Sequence, residues 1–485
     1  MRTKGVVFVT VIFFAAILSC LVASDGLCGY AGEHSPFMAY NPTTQRYFFG
    51  YQWYQMEGFL WENFVTPFGS LGPSRSPGGF IGWQTGSYVA EDRSRPSIAY
   101  DSVNDRFLLV WTGLWPSNDL YGIILDRYGA PYPDYQSAQQ FLISSAADAQ
   151  IDPKVIYDDV NQRFLVVWKD YRDSTGTTIY GQLINTEGLL YGSEFLIENV
   201  PDNDSPRYDV AHDDINQRFL VILNSVEYTG NTYGKLIDAT GNPVGEKFLV
   251  MEGYGSREVS VAYDWMNQRY LAVIQDYGVG IHGQLLYFDG TFLGTNFLIS
   301  HGYNASVAYD SVNQRYLVAW HGEPGGGIFL NPDGMPQGQE YSFPAKNGYY
   351  YPVEQPPTIA FNPQCGNFLV AVEYWKPFQE LVVVHSIDTM IVGDPCPGAT
   401  LTVKKKGYRA AKSSVTAQGL ECKKNKCINQ YIRGSAVSIT AYPDSETVLG
   451  SWTGCDTVTD NVCNVTMEGD REVTAKLVRV PKKSR

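Results

Sequence analysis

Several signals are absent from this chain of 485 residues, and each absence removes a class of function. HExxH, GxSxG, a P-loop and paired CxxC motifs do not occur, so zinc-peptidase, serine-hydrolase, nucleotide and thiol-redox chemistries have no starting point. Histidine is scarce: His34, His212, His282, His301, His321 and His385 are scattered, and no imidazole cluster is visible. After residue 24 no stretch is long and apolar enough to span a bilayer. Positive charge is short over most of the chain, with 19 Lys+Arg against 42 Asp+Glu in residues 25–398. That balance argues against nucleic acid as a ligand of this part and suits an exported protein kept soluble by acid.

Residues 1–24 have Arg2 and Lys4, an apolar run and small residues at the end, which reads as an export signal. Cleavage after Ser24 gives free secretion; the imperfect lipobox ending in Cys20 gives a lipid anchor instead, and the first is preferred. From residue 399 the balance reverses to 15 Lys+Arg against 8 Asp+Glu, so a separate domain is expected there. Residues 25–398 then form one large domain and residues 399–485 a second, with a basic tail.

The first domain says nearly the same thing seven times. SVAYDSVNQRYLVAW at 306–320 has counterparts starting at residues 37, 97, 154, 209, 260 and 358. Its arginine column runs Arg46, Arg106, Arg163, Arg218, Arg269 and Arg315, with Asn367 in the seventh copy, at steps of 46 to 60 residues. Such a period means a repeat architecture. Each copy is a β-rich run, a polar turn and a second β-rich run, which is an antiparallel hairpin. Either the Asn of the turn or the residue after it must take the left-handed backbone. A third strand ending in a Gly turn (IYGQLINTEG, TYGKLIDATG) and a short run such as FLIS or FLIE complete four strands per copy. The expected fold is all-β: a seven-bladed β-propeller, whose radial repetition hides sheet edges.

Residues shared by every copy are read as structural, the arginine and inner tyrosine columns included; His212 stands in the tyrosine column as a packing substitute. Function is sought where copies differ. Copy one has an aromatic excursion at 55–79, copy six has HGEPGGG at 321–327, and copy seven is preceded by 343–357 and followed by an aromatic exit. In a closed ring these three are neighbours. The candidate ligand residues are therefore Trp61, Tyr349, Tyr350, Tyr351 and Trp375, with Glu323, Glu354 and Glu373, a set suited to sugar stacking and hydroxyl recognition. No catalytic residue and no metal ligand is singled out. Ca²⁺ is the one cofactor the acidic loops at 148–152, 170–173 and 202–204 would suit. None has the spaced calcium-loop pattern, and solvated loops are the preferred reading.

The blade text, above all VVWKDYRDSTGTTIYGQLINTEG followed by FLI, resembles exported bacterial β-propeller repeat proteins, a set of mostly unassigned function, over residues 37–391. The text at 401–477 resembles the divergent internalin-type B-repeat, which implies a small β-grasp-like module at the ends of surface proteins. With GSWTG at 450–454, that resemblance implies disulfides Cys422–Cys427 and Cys455–Cys463; a zinc site from all four is the disfavoured alternative. A latch between Cys28 and Cys396, or between Cys365 and Cys396, remains open.

The function expected from these residues is a non-catalytic, exported or envelope-associated binding protein. It is taken to be a monomer whose variable face holds a carbohydrate or an envelope protein. The alternative is a polysaccharide-active hydrolase or lyase using carboxylates on that face.

Overall fold

The computed structural model describes residues 8–10, 31–53, 59–66, 95–113, 118–133, 140–172, 176–201, 206–224, 230–253, 258–276, 278–322, 325–343, 355–378, 382–417 and 419–480. Every regular element among them is a β-strand, and no helix is long and apolar enough to cross a membrane. They divide into two units, the second being Asp394–Arg485 apart from a few residues near position 66.

Copies two to six each open a separate four-stranded antiparallel sheet. In copy three the strands are Gln150–Asp158, Arg163–Asp170, Gly176–Asn185 and Leu190–Pro201, with Arg163 paired to Asp158 on one side and Asn185 on the other. Copies seven and one share a sheet in the order Thr358–Asn362, Asn367–Phe378, Val382–Val392, Ala31–Asn41, Arg46–Trp53, Phe59–Val65. The two halves meet in a short parallel pairing of Ala31 with Val384 and Gly32 with His385. Phe8–Thr10, within the stretch read as an export signal, pairs antiparallel with residues 388–390. Phe59–Val65 is an ordinary third strand, so the excursion expected at 55–79 contains part of the repeat rather than a loop alone.

The second strand of each copy is apolar without alternation because both of its faces are covered. Tyr316, Leu317, Val318 and Ala319 are all fully buried, and so are Phe164, Leu165, Val166 and Val167. Seven apolar cores result, one between each pair of neighbouring copies. The seventh joins Met38, Tyr40, Tyr47 and Phe49 of copy one to Ala360, Leu369 and Ala371 of copy seven. First strands lie against one another in chain order, and Ala31–Asn41 lies against both Ser97–Asp101 and Thr358–Asn362. Fourth strands are exposed edges; two of them, Pro243–Met251 and Pro336–Ser342, begin with proline, which suits an edge that donates few hydrogen bonds.

The turn ambiguity resolves to the later position. Gln45, Asp105, Gln162, Gln217, Gln268 and Gln314 all have φ between 50° and 57°, and Gly366 has 65°. In copies two to six the Asn before it is needed elsewhere: Asn313 Nδ2 donates to Asp310 at 2.8 Å, and its N–H donates to the same carboxylate at 3.0 Å.

The second unit is a pair of sheets around one core. The larger has the order Glu421–Lys423, Lys426–Ile432, Gly398–Gly407, Arg471–Arg479, Thr447–Thr453, and its two central strands run parallel. The smaller has the order Ser414–Thr416, Ala436–Tyr442, Val462–Thr466, Thr457–Thr459. Leu401, Val403 and Val473 from one sheet meet Val437, Ile439 and Val465 from the other. Strand Gly398–Gly407 alternates buried and partly exposed residues, as a strand covered on one face should. Disulfides Cys422–Cys427 and Cys455–Cys463 close two of its turns, with Cα atoms 3.9 and 5.5 Å apart. The four-cysteine zinc alternative is thereby set aside.

Candidate functional site

The shared columns of the first unit are used to stitch neighbours together. Arg106, Arg163, Arg269 and Arg315 each donate to a carbonyl of the following copy: Thr186, Ala239, Pro332 and Gly366 respectively, at 3.0 to 3.4 Å. Arg106 and Arg163 also lie over the rings of Tyr132 and Tyr191 at 3.7 and 3.9 Å. The fourth-strand phenylalanine explains two glycines at once. A Cβ on Gly181 or on Gly241 of the next copy would come within 2.8 or 2.6 Å of the Phe195 ring. Phe141, Phe248 and Phe297 repeat the arrangement.

Turns sit at one end of the hairpins; at the other, here the loop end, the long connections arrive and the copies differ. The residue that follows the apolar run of strand two is polar and buried in every copy whose side chain is described: Thr112, Lys169, Asn224, Gln275, His321 and Glu373. A polar group at such a position must find a partner. Thr112 donates to the Gln150 carbonyl at 2.9 Å, Gln275 accepts from the Asn304 N–H at 2.9 Å, and Glu373 accepts from the Ser35 N–H at 3.1 Å. Each of these bonds reaches the following copy, with copy one following copy seven. Burial pushes His321 down to about 4 despite the opposing charge of Glu373.

Lys169 departs furthest from its column. Its Nζ lies 2.6 Å from Asp152 Oδ2, and its side chain is 1% exposed. Arg95 stands 3.7 Å from Asp152 and 4.0 Å from Glu258; Arg207 stands 4.0 Å from Asp152 and 3.0 Å from Glu258. Five charged residues from four successive copies thus share one network at the loop end. Burial works against the Asp152 charge, but Lys169, Arg95 and Arg207 outweigh it and hold its pKa below the usual carboxylate value. Burial lowers Lys169 as well, opposed by Asp152. Both guanidiniums keep about a quarter of their side-chain surface in solvent, so the network has a wet edge. The signal available in the sequence was a column: Arg95, Asp152, Arg207 and Glu258 each stand two residues ahead of the first-strand motif, with alternating charge, where the other copies have Ser35, Asn304 and Pro356.

The residues expected to bind ligand are dispersed or undescribed. Glu373 is buried against Ser35. Trp61 lies on Phe59–Val65 opposite Tyr51, and Trp375 on Asn367–Phe378 opposite His385. Glu323, Tyr349, Tyr350, Tyr351 and Glu354 lie outside the described residues, as do Cys20 and Cys28. Cys365 and Cys396 are each disulfide-bonded. Of the loops considered for Ca²⁺, Asp152 is held by Lys169, and Asp170 by Arg172 and the Trp168 indole N–H at 2.6 to 2.8 Å; 202–204 lie outside the described residues.

At the turn end two positions depart from the inner tyrosine column, the apolar Phe361 and the polar His212. His212 Nε2 lies 3.5 Å from Asp158 Oδ1, and its ring packs on Phe219 at 4.9 Å. Burial lowers the His212 pKa, and the carboxylates of Asp158, Asp159 and Asp214 oppose that shift.

Residues 411–481 match the divergent InlB B-repeat domain, so the second unit carries that module. No curated protein matches the chain. Solved structures with a similar course of the chain include one in a nidogen/laminin complex, at 9% identity and TM-score 0.32, covering 50% of this chain and 78% of that one. A protein of unknown function from Dyadobacter fermentans has 12% identity and TM-score 0.43, covering 63% and 96%. AofleA from Arthrobotrys oligospora has 9% identity and TM-score 0.42, covering 64% and 86%.

Proposed function

We propose that this chain is an exported, non-catalytic binding protein whose first unit is a seven-bladed β-propeller, and that the loop end of its blades holds a glycan or a protein of the cell envelope. The ring reading is supported by the seven cores between copies, the last of which joins copy seven to copy one. Export is supported by the two disulfides, which need an oxidising compartment, and by the B-repeat module. The observation that carries the binding reading is the network of Arg95, Asp152, Lys169, Arg207 and Glu258. Arg95, Asp152, Arg207 and Glu258 stand at one place, two residues ahead of the first-strand motif, where the other copies have Ser35, Asn304 and Pro356; only these four copies charge it, and they present two guanidiniums to solvent. Guanidinium forks suit the carboxylates and hydroxyls of a sugar or of an acidic protein surface. The basic second unit would lie toward an anionic envelope.

The test is a glycan array and an envelope pull-down with the full chain, repeated with Arg95→Gln. Retention of a glycan or envelope protein that weakens at least tenfold in the variant supports the reading. Hydrolytic turnover of a polysaccharide, or retention indifferent to Arg95, overturns it.

A further inference from the structure

The inner column runs Tyr40, Tyr100, Tyr157, His212, Tyr263, Tyr309 and Phe361. In copies three, five and six its hydroxyl is buried without a hydrogen-bond partner and faces the charge of the turn aspartate of the preceding copy: Tyr157 with Asp101, Tyr263 with Asp213, Tyr309 with Asp264. His212 faces Asp158 in the same sense at 3.5 Å, and its Nε2 is likewise buried without a partner, but it brings an imidazole nitrogen, a metal ligand, where the others bring a neutral hydroxyl. The side chain that carries it is 8% exposed.

Two further departures fall on the same spot. The residue after the turn Asp or Asn is Pro42, Ser102, Trp265, Ser311 or Pro363 in five copies, and it is acidic, as Asp159 and Asp214, only in copies three and four. One ligand atom each of Asp158, Asp159 and His212 lies within 4.8 Å of the others. Asp214 Oδ1 is also buried and unpartnered, and its carboxyl feels both His212 and Asp159. Packing alone asks for none of this, since the other copies fill the same place with serine, proline or tryptophan.

We propose that Asp158, Asp159 and His212, with Asp214 beside them, bind a divalent first-row transition ion between copies three and four. One imidazole nitrogen among carboxylate oxygens favours Zn²⁺, Mn²⁺, Fe²⁺ or Co²⁺ over Ca²⁺, which prefers six or more oxygens. Ligand atoms of a bound ion lie about 2.0–2.2 Å from it, so the group closes inward, and the exposed Asp159 is free to make that movement.

Untagged full-length chain, stripped with EDTA, is titrated with Co²⁺ by absorption and with Zn²⁺ by calorimetry. The expected result is one ion per chain with a nitrogen/oxygen-ligated Co²⁺ spectrum. His212→Tyr restores the residue of the column and should abolish binding without lowering the unfolding midpoint. Asp159→Asn, at an exposed position, should weaken binding at least tenfold, and it keeps the test open should the first variant misfold. No Zn²⁺ or Co²⁺ binding by the wild type, or equal binding by both variants, overturns the proposal; so does Ca²⁺ binding that ignores His212→Tyr.

Discussion

At the turn end of the repeats Asp101, Asp158, Asp213, Asp264 and Asp310 each accept the N–H and side-chain amide of the Asn three residues on, and the following arginine crosses to the next copy. At the loop end Thr112, Lys169, Asn224, Gln275, His321 and Glu373 occupy one column and make different bonds. Uniform chemistry at one end shows what every copy needs to cohere. Varied chemistry at the other shows that cohesion there is met differently in each copy, and His212 is where the uniform end departs toward the ion site proposed above.

The largest effect should come from the uniform end. Asp264→Ala strips an acceptor from the Asn267 N–H and Nδ2 at 3.0 and 2.7 Å, and should cost about 3–4 kcal/mol in a denaturant titration. A loss below about 1 kcal/mol would mean that the turns do not carry the fold.

His321 sharpens the contrast from the loop end. Its folded pKa is depressed to about 4 from an ordinary value of about 6.5. The unfolded chain therefore takes up a proton that the folded chain refuses. The contribution is present in full above pH 6.5 and is lost as the pH falls from there toward 4, up to about 3 kcal/mol. His321→Gln should flatten the stability profile in that window relative to wild type; identical slopes would contradict the assignment.

The left-handed turn position is a smaller test. Gly366→Ala places a Cβ at φ 65°, 2.3 Å from Asn313 Nδ2, and should cost about 1–2 kcal/mol in thermal unfolding, part of the clash being relieved by the flexible amide. Gln314→Gly, at φ 50°, should shift stability by less than about 1 kcal/mol.

What was legible in the sequence follows the same division. Seven copies, their hairpins and the identity of the buried runs could be read because each physical demand is repeated, and repetition is visible in one chain. The disulfides were legible through a family resemblance rather than through spacing alone. The network around Lys169 was not, because Arg95 and Glu258 are more than 160 positions apart and only the side-by-side packing of first strands brings them together. Aromatic richness pointed the search toward copies six, seven and one, where Glu323, Tyr349, Tyr350, Tyr351 and Glu354 lie outside the described residues. Phe59–Val65 is a paired strand, and Glu373 is spent on the Ser35 N–H.

One measurement compares the same residue type at the two ends. Arg269 donates to Pro332 O and Asp333 at 3.0 Å in the next copy; Arg95 stands 3.7 Å from Asp152 and 4.0 Å from Glu258. Unfolding free energy and retention of the bound glycan or envelope protein are measured for Arg269→Gln and Arg95→Gln side by side. The account predicts a loss of about 1–2 kcal/mol with retention intact for Arg269→Gln, and less than about 1 kcal/mol with retention down at least tenfold for Arg95→Gln. The reverse pattern, or retention unchanged in both, would contradict it.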